Sequence, residues 1–189
     1  MDKATLREEY LRRRLELDAA TRDAYSQAIL SHFDTLSFTG VRHLFSYSAL
    51  ASRHEFDPGA CVENLKKKNP DLRVALPRLK DDGRHMDAIG ILPDTIYKVN
   101  TFGIPEPVSG MHFEPAGLDM IFVPLVIVDG YGNRIGYGKG FYDRYLSSCR
   151  AEAVKIGFSY FEPVGRIKDI SQFDVPLNLC ITPLRIYEF

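Results

Sequence analysis

Short apolar runs alternate with helical segments through most of this chain, and this alternation limits the possible folds more than any other feature. The predicted strands are 41–47, 73–76, 86–92, 95–99, 119–123, 154–158 and 177–182, and the predicted helices are 3–16, 58–68, 142–149 and a segment that follows Asp18 through Phe33. Strand 73–76 is expected to end at Pro77. Strands separated by helices are typical of a mostly parallel sheet with helices on both faces. The sequence therefore predicts an open α/β fold.

Residues that favour helix ends support these boundaries. Asp2 and Asp18 are placed to cap the first two helices. Pro58 falls in the first turn of the third helix, and lysines 66–68 fall in its last turn, where the helix dipole favours positive charge. Each of the first three predicted helices thus has a start or stop signal of its own.

The composition is that of an ordinary globular protein. The chain has 189 residues, 45% hydrophobic and 26% charged, so we expect a single domain over 1–189. The formal net charge is −1, which gives no reason to expect a nucleic acid or a membrane surface as partner. The run Arg12-Arg13-Arg14 is interpreted as a solvated helix face, with an anionic ligand as the alternative.

The cysteines and the apolar segments indicate a cytoplasmic protein. Cys61, Cys149 and Cys180 form no CxxC pair, and their odd number leaves at least one unpaired. They are interpreted as reduced thiols that mainly serve packing. The sequence becomes charged directly after Met1, without the apolar segment of a secretory signal. The longest apolar stretch, 121–128, is too short to span a bilayer.

The densest chemical signal is the segment 129–144, which has five glycines between positions 130 and 140. It follows a predicted strand and precedes a predicted helix, so backbone N–H groups and the helix start could hold a phosphate. Lys139 could neutralise a phosphoryl group that is being transferred, and Arg134 could clamp another. The spacing is not that of a Walker A loop, because Gly140 stands where a hydroxyl residue would follow Lys139. The alternative is a turn whose glycines serve only positive φ angles.

Asp143 is the best candidate for a metal ligand in this segment. Magnesium takes oxygen ligands and usually only one or two carboxylates, with waters and phosphate oxygens completing its shell. The alternatives are an ion pair with Arg144 and a charge that simply favours the first turn of a helix. The spacing alone does not choose between these roles.

The sequence Arg-Ile-Gly-Tyr-Gly-Lys-Gly-Phe-Tyr-Asp-Arg at 134–144 resembles the signature of the 5-formyltetrahydrofolate cyclo-ligase family. Further segments are similar to family segments in the same order: Lys-Ala-Thr-Leu-Arg at 3–7, Glu55, Phe-Gly-Ile-Pro-Glu-Pro at 102–107, and Asp-Val-Pro-Leu at 174–177. The resemblance covers nearly the whole chain. It implies an open α/β architecture similar to that of sugar-phosphate isomerases and CoA transferases.

The resemblance implies an enzyme that converts 5-formyltetrahydrofolate, with or without further glutamates, to 5,10-methenyltetrahydrofolate. It also implies that ATP and Mg²⁺ are required and that ADP and phosphate are released. Transfer of the γ-phosphoryl group to the formyl oxygen makes that oxygen a leaving group, and N10 then attacks the formyl carbon. The protein would act by positioning and by charge stabilisation. We expect a monomer or a weak homodimer with no nucleic-acid or membrane partner.

Carried over residue by residue, the resemblance implies an ATP site, a metal site and a folate site. ATP contacts are expected from Lys3, Arg7, Arg134, Ile135, Gly136, Tyr137, Gly138, Lys139, Gly140, Phe141, Tyr142 and Asp143. The expected magnesium ligands are Asp143 and Asp174, directly or through water. The expected folate contacts are Leu50, Glu55, Phe141 and Tyr142, with Glu55 accepting hydrogen bonds from the amino-pyrimidine edge of the pterin. The expected catalytic residues are Lys139, Arg134 and Tyr142.

Each of these roles has a simpler alternative. Lys3 and Arg7 could be two solvated charges one helical turn apart, and Asp174 could turn the chain before Pro176. Leu50 and Tyr142 could be ordinary core residues. For the whole chain, the alternatives are an enzyme of another reaction on a related fold and a binding protein without turnover.

The chain departs from the family pattern at several positions. Phe141 stands where the family often has the first tyrosine of a pair, which removes one hydroxyl but still permits stacking. Lys139 replaces a glycine that is common in bacterial members. Pro58, Phe173 and Asn178 stand where threonine, histidine and aspartate are common, and none of the three belongs to the glycine segment.

Overall fold

The computed structural model describes residues 1–189, and its centre is an eight-stranded sheet. The helices are α1 (Lys3–Glu16), α2 (Ala19–Thr35), α3 (Gly59–Lys68) and α4 (Phe141–Leu146). The strands are β1 (His43–Phe45), β2 (Arg73–Leu79), β3 (Met86–Gly90), β4 (Tyr97–Val99), β5 (Pro105–Pro107), β6 (His112–Phe113), β7 (Met120–Val123), β8 (Ile127–Val128), β9 (Arg134–Ile135), β10 (Val154–Phe158), β11 (Leu179–Ile181) and β12 (Ile186–Glu188). The order across the main sheet is β12-β11-β10-β7-β1-β2-β3-β6, and β4–β5 and β8–β9 form two-stranded sheets.

Five neighbouring strands at the centre of the sheet, β2, β1, β7, β10 and β11, run parallel. At one edge β12 pairs antiparallel with β11, and at the other edge β3 and β6 are antiparallel additions beyond β2. Every residue of Met120–Val123 is buried, as expected for a parallel strand covered on both sides. The predicted mostly parallel α/β fold is therefore confirmed, with antiparallel strands at its edges.

Helices cover both faces of the sheet. Successive residues of a strand point to opposite sides, so neighbouring residues of one strand pack against different helices. Phe122 of β7 belongs to a buried cluster that includes Phe33 of α2 and Leu65 of α3. Its neighbour Ile121 belongs to the cluster on the other side, which includes Tyr145 of α4. The predicted arrangement of helices on both faces is confirmed.

The first helix lies against the β8–β9 hairpin. Leu6 and Tyr10, one helical turn apart, are buried in a small cluster with Ile127 and Ile135. Arg7, on the same helix, reaches Gly136 in the segment that follows β9.

The predicted caps of the first two helices are confirmed. The Asp2 carboxylate accepts a hydrogen bond from the Thr5 N–H (2.9 Å), and the Asp18 carboxylate accepts one from the Thr21 N–H (2.7 Å). Such a side-chain cap contributes about 1 kcal/mol to helix stability. These two predictions, which depend only on residues close together in the sequence, thus agree with the structure.

The prediction that a strand ends at Pro77 is wrong, because β2 continues through that residue to Leu79. Pro77 lies opposite Ala88 of β3, but it is beyond Ala75, the last residue of β2 that pairs with β1. A proline is tolerated where one side of the strand has no partner that needs its N–H. Other predicted elements are too long: β1 covers only His43–Phe45, and α4 ends at Leu146.

The three cysteines are unpaired, and Cys61 and Cys180 are buried in the core, as predicted. No helix has both the length and the apolar character that crossing a membrane would require.

Candidate active site

A cavity of about 700 Å³ lies beside α1. Its walls come from α1, residues 47–55, the β4–β5 hairpin and residues 134–143. Residues 47–55 follow β1, and Pro124, which also lines the cavity, follows β7. The cavity therefore lies at the carboxyl ends of parallel strands, where open α/β sheets commonly bind ligands.

Every site residue predicted from the sequence lines this one cavity. The set comprises Lys3, Arg7, Leu50, Glu55, Arg134, Ile135, Gly136, Tyr137, Gly138, Lys139, Gly140, Phe141, Tyr142, Asp143 and Asp174. These residues span most of the chain, so their convergence is a property of the fold. Their individual roles remain predictions.

The glycine segment divides into two parts. Gly130 and Gly132 belong to the turn between β8 and β9, which is organised by the fully buried Asp129. The Asp129 carboxylate accepts hydrogen bonds from the N–H groups of Tyr131 (2.9 Å) and Asn133 (3.0 Å). This part of the segment is a structural turn, and the explanation by positive φ angles holds for Gly132 (φ +83°) but not for Gly130.

The second part, Gly136, Gly138 and Gly140, lines the cavity. Gly138 and Gly140 have φ values of +82° and +69°, which favour glycine. Gly136 has no such φ, and a Cβ placed on it would meet no protein atom within 4 Å. Folding therefore does not explain Gly136, whereas close approach of a ligand to the backbone would.

Lys3 and Arg7 are not solvated charges. The Lys3 ammonium forms an ion pair with Asp174, and both side chains are largely shielded from solvent. The Arg7 Nε donates to the Gly136 carbonyl (2.7 Å). Arg7 thus connects the first helix to the glycine segment, and Lys3 connects it to the segment before β11.

Arg134 and Asp143 form an ion pair at the cavity wall, with 2.7 Å between Nη2 and Oδ1. The Arg134 side chain is only 4% exposed, and it also donates to the Val175 carbonyl. Burial lowers the pKa of Arg134, and the charges of Asp143 and Asp174 oppose that shift. The predicted alternative partner of Asp143, Arg144, instead donates to the carbonyls of Arg84 (2.8 Å) and Lys139 (2.9 Å).

The donor set of Asp143 and Asp174 fits a magnesium ion that is completed by water and phosphate. Asp143 uses Oδ1 for Arg134, and Asp174 uses Oδ2 for Lys3 and for the Ser171 N–H (2.7 Å). One oxygen of each carboxylate has no protein partner. No group of three or more His, Cys, Asp and Glu side chains is arranged to hold a metal. Two carboxylates with free oxygens are nevertheless the usual protein share of a magnesium site beside phosphates.

Glu55 is buried at 9% exposure, and both of its carboxylate oxygens are oriented by hydrogen bonds. Oε2 accepts from the Leu50 N–H (2.9 Å), and Oε1 accepts from the Tyr137 hydroxyl (2.7 Å). Burial raises the pKa of Glu55, while these hydrogen bonds and the charge of Arg14 oppose the rise. The carboxylate is thus held in one orientation in the cavity wall.

The sequence analysis missed the role of Arg14, which lies outside the cavity lining and contacts Tyr137 in the cavity wall. The solvated-face interpretation of Arg12-Arg13-Arg14 is wrong at this position, because Arg14 is only 4% exposed. Its guanidinium donates to the Leu125 carbonyl (3.1 Å) and to the Tyr137 hydroxyl (2.6 Å). The available signal was its spacing from Tyr10 and Arg7, which places all three on one helix face.

Aromatic side chains form a further part of the wall. The Tyr142 ring stacks on Phe45 (centroids 6.0 Å apart), and its hydroxyl is buried without a hydrogen-bond partner. Burial raises the pKa of Tyr142, so this hydroxyl stays protonated at neutral pH and is available to a ligand. Phe141 packs edge-on against Phe102 (6.3 Å), which preserves an aromatic surface without a hydroxyl.

The β4–β5 hairpin faces the glycine segment across the cavity, a placement the sequence analysis did not predict. Phe102 at its tip lies 6.0 Å from the Lys139 ammonium. Glu106 anchors the hairpin by accepting from the Leu79 N–H (3.1 Å) and the Asn100 amide (2.7 Å). The similarity of 102–107 to a family segment thus corresponds to a wall of the cavity.

Three of the departures from the family pattern lie outside the cavity lining: Pro58, Phe173 and Asn178. Pro58 directly precedes α3, and Phe173 is 71% exposed. The Asn178 side chain accepts from the Lys155 N–H (2.9 Å) and so links the segments of β10 and β11. These residues therefore leave the lining of the cavity unchanged.

The known proteins that this chain resembles in sequence share one name. A sequence model described as the 5-formyltetrahydrofolate cyclo-ligase family matches residues 1–183. The 5-formyltetrahydrofolate cyclo-ligase of Haemophilus influenzae is 35% identical over 127 residues, which cover 65% of this chain and 67% of the relative. The Escherichia coli protein of that name is 33% identical over 139 residues, covering 71% of this chain and 75% of the relative.

Solved structures agree with these sequence matches. A 5,10-methenyltetrahydrofolate synthetase from Aquifex aeolicus is 28% identical with a TM-score of 0.81, covering 100% of this chain and 93% of that one. One from Mycoplasma pneumoniae is 25% identical with a TM-score of 0.76, covering 97% of this chain and 99% of that one.

Proposed function

This chain belongs to the 5-formyltetrahydrofolate cyclo-ligase family, and we propose that it converts 5-formyltetrahydrofolate to 5,10-methenyltetrahydrofolate while ATP is split to ADP and phosphate. The observation that carries the proposal is the convergence of two chemistries in one cavity. An open glycine segment with lysine and arginine side chains suits phosphates, and the buried carboxylate of Glu55 suits a pterin edge.

The chemistry explains why both ligands would share one cavity. The N5-formyl group is amide-like, so its carbon is a poor electrophile. Attack of the formyl oxygen on the γ-phosphorus forms a C–O–P linkage and releases ADP. N10 then bonds to the formyl carbon, the C–O bond breaks with loss of phosphate, and the N10 proton leaves. No covalent bond to the protein is needed, so positioning and charge stabilisation account for catalysis.

The cations of the cavity would stabilise the phosphoryl group in transfer. Lys139 forms no ion pair with a carboxylate, so its charge is available to the nucleotide. Arg7 is held against Gly136, and Arg134 is held by Asp143, so both guanidinium groups are fixed before a ligand binds. Fixed charges need little rearrangement as the transition state forms.

Asp143 and Asp174 would hold Mg²⁺, which neutralises part of the phosphate charge when it is bound with the nucleotide. The two carboxylates also neutralise Arg134 and Lys3 in the absence of nucleotide. The oxygen of each carboxylate that has no protein partner could bind the metal while both ion pairs stay in place.

Glu55 would accept the adjacent N–H groups of the amino-pyrimidine edge of the pterin. Leu50 and Tyr137 donate one hydrogen bond to each of its oxygens. A carboxylate has roughly four lone-pair sites, so acceptor capacity remains on both oxygens. This arrangement favours a ligand that presents paired donors.

Replacing Gly136 tests the contact between backbone and phosphate. We expect Gly136→Ala to raise the KM for ATP by about tenfold, because the methyl group would occupy space that folding leaves open. The thermal midpoint should not fall, since this glycine has no positive φ and its Cβ would clash with nothing. Steady-state kinetics and a melting curve measure the two effects.

Gly130→Ala is the matched control. Gly130 also has no positive φ and no atom within 4 Å of an added Cβ, but it lies outside the cavity lining. Its KM for ATP should equal that of the unmodified protein. An equal effect of both substitutions would argue against a phosphate contact at Gly136.

The proposed chemistry can be followed with an isotope. With ¹⁸O in the formyl group of 5-formyltetrahydrofolate, the released phosphate should carry one ¹⁸O atom, measured by mass spectrometry, together with stoichiometric ADP. Methenyltetrahydrofolate formed with unlabelled phosphate would contradict phosphorylation of the formyl oxygen. Absence of any product would contradict the proposed function itself.

A further inference from the structure

The guanidinium of Arg14 is enclosed by the protein without a direct carboxylate partner. Its side chain donates to the Leu125 carbonyl and the Tyr137 hydroxyl, and its Nε is buried with no partner. A buried charge is costly unless an opposite charge and hydrogen bonds compensate for it. The compensating charge nearest along the hydrogen bonds is Glu55, which Arg14 reaches through Tyr137.

The direction of these hydrogen bonds is fixed by chemistry. A guanidinium group has only donors, so the Tyr137 oxygen must accept from Arg14. The single hydroxyl proton of Tyr137 is then free to be donated to Glu55, at 2.7 Å from Oε1. The chain of hydrogen bonds therefore runs from Arg14 through Tyr137 and ends on the carboxyl group of Glu55.

Tyr137 connects two functions within one residue. Its backbone lies between Gly136 and Gly138 in the segment proposed to bind phosphates, whereas its side chain turns to Glu55. The sequence analysis assigned Tyr137 only to ATP. The contact of its hydroxyl indicates that the side chain belongs to the folate half of the cavity.

We propose that Arg14 and Tyr137 are positioning residues that orient the Glu55 carboxylate and keep it ionised for recognition of the pterin. This inference rests on the proposed function, because Glu55 is the group that would touch the substrate. Arg14 would act only through Tyr137 and Glu55.

Other groups around Glu55 also bear on its ionisation. Tyr47, which follows β1, is buried, and so is the hydroxyl of Tyr142 in α4. The pKa of each is raised by burial first and by the charge of Glu55 second. The His54 ring contacts Arg22 of α2 at 3.1 Å and the Arg14 carbonyl at 3.4 Å. Among these groups, Arg14 is the one whose positive charge opposes the effect of burial on Glu55.

Removing the hydroxyl of Tyr137 is the sharpest test, because the aromatic ring stays in place. We expect Tyr137→Phe to raise the KM for 5-formyltetrahydrofolate about tenfold and to change the KM for ATP less than about twofold. Arg14→Met should act in the same direction, and Arg14→Lys should recover part of the loss because it keeps the charge. Arg12→Met is the control, since Arg12 is exposed and pairs only with Glu16.

The pH dependence separates positioning from a merely structural role. Loss of the Tyr137 hydrogen bond or of the Arg14 charge removes an influence that lowers the pKa of Glu55. The pKa must then rise, so the acid limb of kcat/KM for 5-formyltetrahydrofolate should move to higher pH in both variants. Arg12→Met should leave this profile unchanged.

A ligand-free measurement distinguishes failure of this inference from failure of the proposed function. Carboxyl ¹³C NMR of Glu55 should show a higher pKa in Tyr137→Phe than in the unmodified protein, whichever reaction the protein catalyses. An unchanged pKa of Glu55, or an equal rise of the KM values for 5-formyltetrahydrofolate and ATP, would overturn the positioning role of Arg14 and Tyr137. If Arg14→Met fails to fold, Tyr137→Phe decides the question alone. Absence of turnover in the unmodified protein would contradict the proposed function. The NMR result would still show whether Tyr137 influences the pKa of Glu55.

Discussion

Asp143→Asn should lower turnover by about a hundredfold or more and shift the magnesium dependence to higher concentration. The substitution replaces a charged oxygen that would bind the metal, and losing such stabilisation of a phosphoryl transfer costs several kcal/mol. Asparagine keeps a side-chain carbonyl for the hydrogen bond from Arg134, which now lies at 2.7 Å from Asp143. Steady-state rates over a magnesium titration measure the effect.

Alanine at the same position would give a less clear result. Arg134 is only 4% exposed, and without Asp143 its guanidinium would lose its hydrogen-bonded carboxylate. Roughly 2 kcal/mol of stability would be lost as well. Asp71→Asn, at an exposed position outside the cavity, is the control for loss of one negative charge. Wild-type magnesium dependence in Asp143→Asn would remove Asp143 from the metal site.

Glu55→Gln should raise the dissociation constant for 5-formyltetrahydrofolate about a hundredfold. The amide cannot accept paired hydrogen bonds on both atoms, and its NH₂ group would face a donor, either the Leu50 N–H or the Tyr137 hydroxyl. Losing a charge-assisted pair of hydrogen bonds at a buried site is expected to cost about 3 kcal/mol. Affinity for ATP should change less than about twofold. Calorimetry with each ligand tests both statements.

The same substitution should change the pH dependence of folate binding. Burial raises the pKa of Glu55, and the proposed contact requires the ionised form. Affinity in the unmodified protein should therefore be full above this raised pKa and should fall as the pH is lowered through it. Glu55→Gln should remove that dependence. Equal loss of folate and ATP affinity, or an unchanged pH profile, would contradict a specific pterin contact.

Features that depend on neighbouring residues could be predicted from the sequence. The Asp2 and Asp18 caps need only a side chain and an N–H three residues away. The core of the sheet follows from apolar runs such as Met120–Val123. By contrast, the continuation of β2 through Pro77 depends on where the pairing with β1 stops, which is a tertiary property.

The candidate site shows the same division. The motif at 134–144 predicted a set of residues that the fold brings to one cavity. The glycine pattern could not show that Gly132 lies closely against Phe189 and the Leu177 carbonyl, because these contacts come from distant parts of the chain. Arg14 was assigned to the surface for a related reason. Charge runs are usually solvated. The spacing of Arg14 from Arg7 and Tyr10 indicated the buried helix face, but its contact with Tyr137 depends on the tertiary structure.

The most direct test of the proposed function is an absorbance assay for 5,10-methenyltetrahydrofolate in which 5-formyltetrahydrofolate, ATP and Mg²⁺ are omitted one at a time. Product should form only when all three are present, with one ADP released for each methenyltetrahydrofolate. A folded sample that binds ATP but forms no product, or one that forms product at the same rate without ATP, would contradict the proposed function.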